Sequence, residues 1–349
     1  MIERDDLVEM RALVKQILHN EHIDVIHADQ LSMAQFACQS LFPNERPGAT
    51  STMNHHAGPV LIFDAHNAVW TIFDRLCQNS NWLVRPLLSY EAQRIKRYEG
   101  LIVNAFDHTL AVTEADAAAL RQAEQLTTSR NSGRSGEMSI IPIAVDGEAL
   151  MPVARDENSL NILTLGTLHY PPNADGIRWF TNEVFPLVKS KVPGARLTII
   201  GKNPPKDLSQ VANDPDNGVQ VTGYVPNLTP YFQAAAVLVV PVRAGGGMRV
   251  RILEAFARGM PVVTTTIGLE GIDARPGMDV LVGDTPQAFA DEVVKVLSDK
   301  ALQHELAVNG RKLVEQKYDF RVVLHTLGDI YRQYADLSSE VPKVVLSAG

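Results

Sequence analysis

Short apolar runs bounded by polar turns alternate along this chain with longer stretches where apolar residues recur every three or four positions. The first kind reads as buried strand, the second as amphipathic helix. Leu7, Met10, Leu13, Val14, Ile17 and Leu18 predict a helix over residues 7–20. Residues 24–28 predict a strand, 31–41 a helix, 59–64 a strand, 68–77 and 87–98 helices and 108–112 a strand. A helix capped by Thr113 to Asp116 runs to about Leu126, and Ser139 to Pro142 closes this half. Residues 130–136 form a Ser/Gly/Arg/Asn loop, and residues 147–159 read as a domain boundary. Beyond it the alternation is cleaner. Strands are predicted at 160–165, 196–201, 219–223, 237–242, 261–265 and 280–282; helices at 173–192, 228–235, 252–258, 286–298 and 321–336.

Regular β–α alternation points to an α/β protein with parallel sheets covered on both faces. A length of 349 residues allows two domains. The expected layout is a first domain over 1–148, a second over 149–320, a C-terminal helix over 321–337 and a disordered tail over 338–349.

Composition narrows the function. A net charge of −8 argues against general nucleic-acid binding. Cys38 and Cys77 lack metal-ligand spacing and read as reduced thiols of a cytoplasmic protein. Met1 to Asp6 is charged and lacks a signal-peptide core, and no run of 18 apolar residues predicts a membrane span.

The chemistry concentrates between Gly245 and Thr265. A strand leads into Gly245-Gly246-Gly247, then Arg249, Arg251 and Glu254 at the start of a helix. Free amides, the helix dipole and two guanidinium groups suit a phosphate, and a carboxylate beside them suits sugar hydroxyls. Together they describe a nucleotide with its ribose. At these residues the chain resembles the GT-B glycosyltransferases, specifically the large retaining family 4. Leu253 to Val263 match the family's Leu-Glu-Ala-Phe-Ala-x-Gly-x-Pro-Val-Val run. Glu254 takes the second place of the family's Glu-x7-Glu motif, while the first falls on Gly246. A subgroup with Gly-Gly-x-Arg-x-Lys-Ile-Leu-Glu-Ala shows the same departure.

The resemblance implies two Rossmann-like domains, the first short enough that the chain reads as truncated or mis-started at its N-terminus or else as a natural minimal form; a C-terminal helix over 321–337 that crosses back to the first domain; and transfer of a hexosyl-type sugar from a nucleotide diphosphate donor. It places Glu254 on the ribose, and Gly246, Gly247, Arg249 and Arg251 on the diphosphate. Gly166, in the Leu165 to Asn173 loop, allows close backbone approach there. Tyr224 and Val225 would contact the base, and Thr265 and Gly268 would add amides near the phosphates. On the acceptor side, Asp29 and His66 are the catalytic candidates, at the ends of the Asp24 to Ala28 and Pro59 to Asp64 strands. His27 reads as a strand residue and Thr113 to Asp116 as a helix cap. No cofactor or metal is expected: Asp214-Pro215-Asp216 has carboxylate spacing but reads as a turn. The expected partners are a nucleotide sugar and a glycan, lipid-linked or small-molecule acceptor. Arg94, Lys96 and Arg97 near Trp82, Leu83 and Leu87 read as a solvated helix face or as a peripheral contact at the inner membrane face. Two other readings stay open: a non-catalytic nucleotide-sugar binder and a non-hydrolysing sugar-nucleotide epimerase.

Overall fold

The structure is a computed structural model and describes residues 7–38, 59–78, 80–127, 136–156, 158–211 and 217–334. The Arg130 to Ser135 loop, Asp214 to Asp216 and the tail after Ala335 lie outside those residues. The chain divides into two compact units, one of residues 1–142 with 324–349 and one of residues 143–323.

The first unit holds a four-stranded parallel sheet of β1 (Val25–Asp29), β2 (Val60–Ala65), β3 (His108–Ala111) and β4 (Glu137–Ile140), in that spatial order. Apolar strands make sense here, because crossover helices cover the sheet. Leu61 and Phe63 pack with Ile102, Val103, Phe106 and Leu120. Ile102 and Val103 come from α4 (Arg85–Ala105), Phe106 from the residue just past its end, and Leu120 from α5 (Glu114–Thr127). Helix α5 begins and ends within a residue or two of expectation, whereas α4 starts before Leu87 and continues past Tyr98 to Ala105. Helix α1 (Val8–Asn20) forms as its periodicity predicts, but none of its residues is buried. The last helix, α14 (Phe320–Tyr334), places Leu327, Ile330, Tyr331 and Tyr334 against Ile62 and Leu110 of the first unit's sheet.

The second unit holds a six-stranded sheet in the order β10-β9-β8-β5-β6-β7, every pairing parallel. Its strands are β5 (Asn161–Leu165), β6 (Arg196–Ile200), β7 (Val219–Gly223), β8 (Val237–Val240), β9 (Val262–Thr264) and β10 (Leu281–Val282). The chain runs outward from β5 through β6 to β7, then returns to β8 and runs the other way. The gap between β5 and β8 is therefore a topological switch point, where a parallel sheet leaves a crevice at its carboxyl edge.

The expected helix over 173–192 is broken into α6 (Pro171–Trp179), a π-helical turn (Phe180–Val184) and α7 (Phe185–Lys191). Pro186 explains the break, since it cannot donate the backbone bond that a continuous helix needs there. The π turn points Phe180 at Phe289, their rings edge-on at 5.6 Å, and Trp179 meets the same ring at 5.5 Å. Phe289 belongs to α12 (Pro286–Ser298), which begins and ends as predicted. Among the described residues three helices escape the sequence reading: α8 (Lys206–Val211), the short α11 (Thr266–Leu269) and α13 (Lys300–Leu313), the last separated from α12 by Asp299 alone. The Asp299 carboxylate caps it, accepting from Leu302 N at 3.0 Å, the signal that marks its start.

Candidate functional site

In the second unit, β8 runs out through Val242 into the Gly245 to Gly247 loop. Gly245 and Gly247 sit at φ of 102° and 85°, a left-handed conformation that side chains resist. The loop then turns directly into α10 (Val250–Ala257), whose N-cap residue, Arg249, gives its first amides no side-chain acceptor. On the opposite wall, α6 presses close: a Cβ on Gly176 would fall 2.0 Å from the Pro241 carbonyl oxygen. This contact brings Tyr170, Pro172 and Asn173 over the glycine loop.

The result is a pocket of about 400 Å³ at the switch point. Gly166, Gly246, Arg249, Arg251 and Glu254 line it, as do Tyr170, Asn173 and Leu228. Gly247 lies on the loop beneath, where its carbonyl and that of Gly246 accept bonds from the Arg249 guanidinium. Tyr224 and Val225 are outside the lining, and Tyr224 is 72% exposed just past the edge strand β7. Thr265 and Gly268 are buried outside the lining as well. The Thr265 hydroxyl donates to the Val242 carbonyl and accepts from Gly268 N at 2.9 Å, capping α11 (Thr266–Leu269). Leu228 lacked any charge or glycine signal that would have marked it as a lining residue, whereas Asn173 ends the Leu165 to Asn173 loop already expected at the diphosphate.

Arg251 dominates the electrostatics. It donates to the Leu165 carbonyl at 3.1 Å and to Asn173 Oδ1 at 3.0 Å, and its buried Nε has no partner. No carboxylate answers its charge among the described ion pairs. Burial first, then the neighbouring Arg249 charge, pushes its pKa down to about 10. A half-buried cation held by neutral oxygens, beside a second cation and an uncapped helix start, is a standing demand for an anion. Glu254 lies half-buried on the same helix and offers the pocket an acceptor.

In the first unit, the carboxyl ends of β1 and β2 bring the two catalytic candidates together. Asp29 pairs in register with Asp64, and His66 follows β2 by one residue. His66 Nε2 meets Asp29 Oδ1 at 2.7 Å and lies 4.0 Å from Asp64 Oδ1. The ligand atoms of Asp29, Asp64 and His66 all lie within 4.8 Å of one another. Asp64 Oδ2 faces His27 Nε2 at 3.4 Å, and His27 Nδ1 meets the Tyr331 hydroxyl at 2.5 Å. His27, read from sequence as a strand residue, is thus also a bridge between Asp64 and α14.

Two acids hold the His66 loop in place. Buried Glu99 accepts from Val69 N at 2.7 Å and Trp70 N at 3.0 Å at the start of α3 (Val69–Gln78). Burial, the largest influence, raises its pKa to about 7 against those two bonds. Asp116 accepts from Ala68 N at 3.0 Å while its own amide donates to Thr113 Oγ1 at 3.0 Å, so the expected helix cap also clamps the loop. Glu99 was visible in the sequence only as a lone acid inside the apolar Tyr98 to Val103 stretch.

Residues 159–299 match the model of the family described as glycosyl transferases group 1. The match lies within the second unit, which is similar there to group 1 glycosyltransferases. The chain is 26% identical over 178 residues to a Klebsiella pneumoniae protein of the cps region, a match covering 49% of this chain and 46% of that one. It is 26% identical over 159 residues to the capsular polysaccharide biosynthesis glycosyltransferase CapM of Staphylococcus aureus, covering 44% and 41%. The matches thus span less than half the length of these curated relatives. Among solved structures, Anabaena HepE in complex with UDP is similar with a TM-score of 0.67 at 14% identity, covering 93% of this chain and 82% of that one. That likeness speaks to fold, and the fold is the GT-B arrangement of two all-parallel α/β sheets. The matched residues run from just before β5 to Asp299 and include the whole lining of the α10 pocket. No helix among the described residues is long and apolar enough to cross a membrane.

Proposed function

We propose that this chain transfers a sugar from a nucleotide diphosphate donor to a glycan or lipid-linked acceptor, with retention of configuration and without a metal. The observation that carries the reading is Arg251, a half-buried side chain that lines a pocket at an uncapped helix start and whose buried Nε has no partner. A diphosphate supplies the charge that this group lacks. As the bond from the sugar to the diphosphate breaks, negative charge grows on the leaving oxygens. Arg249, Arg251 and the amides after Gly247 are already in place to meet it, so little reorganisation opposes the step. Glu254 accepts hydrogen bonds from the ribose hydroxyls. Asp29 and His66, hydrogen-bonded to each other in the first unit, serve the acceptor hydroxyl, and Asp64 and His27 hold His66 in orientation.

The similarity to CapM favours a polysaccharide building block as acceptor, and HepE, solved with UDP, favours a uridine donor. A lipid-linked acceptor fits the exposed Trp82, Leu83, Leu87 and Tyr90 at the start of α4, which suit a lipid headgroup surface. Lys96 does not share that surface: its ammonium lies 3.7 Å over the Trp70 ring. The test is a panel of nucleotide sugars with the product anomer read by NMR, with and without EDTA. Turnover with retained configuration and no loss in chelator supports the reading. Inversion, or chelator-dependent turnover, overturns the stereochemical or metal part of it. Tight nucleotide binding with no turnover on any donor and acceptor would favour the non-catalytic binder.

A further inference from the structure

Helix α13 turns Lys300, His304, Ala307, Val308 and Arg311 to one side, the three-and-four spacing of a single helical face, with Lys312 at its edge. Facing them stand Pro152, Val153, Arg155 and Gly259, and the space between is a groove of about 830 Å³, roughly twice the α10 pocket. Gly259 follows the last turn of α10, whose first turn borders the nucleotide pocket. Eight residues at 1.5 Å each put about 12 Å of helix between the two, so the groove is a separate site.

Its walls are prebuilt. Arg311 donates to the Leu150 carbonyl at 2.9 Å and the Ala257 carbonyl at 2.6 Å, and Arg155 to the Ala236 carbonyl at 3.2 Å. Gln303, buried at the groove floor, donates to the Val296 carbonyl at 2.6 Å. Four of the lining side chains are Lys or Arg and one, Glu315, is acidic. Glu315 is already taken by Arg311 Nε at 2.6 Å. Lys300 and Lys312 make no ion pair among the described residues, although the chain as a whole carries a charge of −8. They stand twelve residues apart, about 18 Å along the helix. A phosphate or a nucleotide diphosphate is too short to reach both ends. The middle, at Ala307 and Val308, is apolar.

We infer that this groove binds an acidic oligosaccharide, with anionic groups at both lysine ends and sugar faces on the apolar middle. The acidic groups could come from carboxylates or from sulfates, whose shared chemistry is a spaced series of anions on a sugar chain. The site is independent of nucleotide binding, and it can be tested with the full chain. The probes are a fluorescent oligogalacturonate and a heparin-derived oligosaccharide, compared with neutral maltohexaose, oligothymidylate and phosphatidylglycerol vesicles. Binding of either acidic oligosaccharide, weakened by salt and lowered about tenfold by Lys300→Gln with Lys312→Gln, is expected from two exposed charge contacts. The stronger of the two names the anion. UDP affinity, measured on the same double variant, should stay unchanged, which shows a folded domain and keeps this test apart from the donor reading. Equal binding of maltohexaose, indifference to the double variant, or preference for oligothymidylate or vesicles would overturn the inference.

Discussion

Arg251→Met separates the cost of a half-buried charge from its use. Burial that lowers the Arg251 pKa to about 10 corresponds to roughly 3 kcal/mol spent holding the charge in the unliganded protein. The unfolded chain keeps that proton to a higher pH than the native one. The penalty is therefore complete at neutral pH and relaxes only above about pH 10. Methionine removes it, and also removes the bonds to Leu165 O and Asn173 Oδ1, worth about 1 kcal/mol each. The balance leaves the unliganded variant unchanged or about 1 kcal/mol more stable. Diphosphate binding should suffer instead, since a charge-assisted contact is worth about 1.5–3 kcal/mol, or roughly 10–150-fold in affinity. At a UDP concentration of about 100 times the dissociation constant, the wild type gains about 2.7 kcal/mol; a hundredfold loss cuts that to about 0.4 kcal/mol. Thermal unfolding with and without UDP reads both numbers, at about 2–4 °C per kcal/mol for a domain this size. A variant that melts well below wild type without ligand, yet keeps the full UDP shift, would refute the reasoning.

Glu254→Gln should weaken nucleotide binding about tenfold or more, and Gly246→Ala less, because only Glu254 offers the ribose a charged acceptor; titration calorimetry compares them, and equal losses would remove the ribose role. Glu99 makes a pH prediction. Its native pKa of about 7 lies above the ordinary carboxylate value, so the native state holds a proton that the unfolded chain has released. Stability should thus fall by up to about 3 kcal/mol as pH rises from about 4.5 to 7, then level off. Glu99→Gln should flatten that slope in urea titrations, and a wild-type slope of opposite sign would contradict the burial argument. Tyr331→Phe removes the hydroxyl on His27 Nδ1 and should cost about 1 kcal/mol of stability; an unchanged midpoint in the same titrations would show that the contact contributes nothing.

The second unit was legible because its strands are fully apolar and its turns carry glycine. Val237 to Val240 and Val262 to Thr264 could hardly be anything but buried parallel strands. What stayed hidden was set by contacts distant in sequence. Pro186 breaks a helix that periodicity alone would have run through. Lys300 to Leu313 forms a helix whose start depends on a single capping aspartate. Asp29 and His66 could be singled out as strand-end residues, but their pairing comes from the register of β1 on β2, which no local pattern encodes. Arg251 reads from sequence as a candidate phosphate ligand. That it is half-buried and short of a partner followed only from the close approach of α6.

The α10 pocket is proposed as a nucleotide diphosphate site. Titration calorimetry of the full chain with UDP, GDP and ADP, repeated on Arg251→Met and Glu254→Gln, tests it most directly. The account predicts one-to-one binding of at least one nucleotide, lost or strongly weakened in both variants while each remains folded. No binding of any of the three at millimolar concentration, or binding that both variants retain in full, would contradict it.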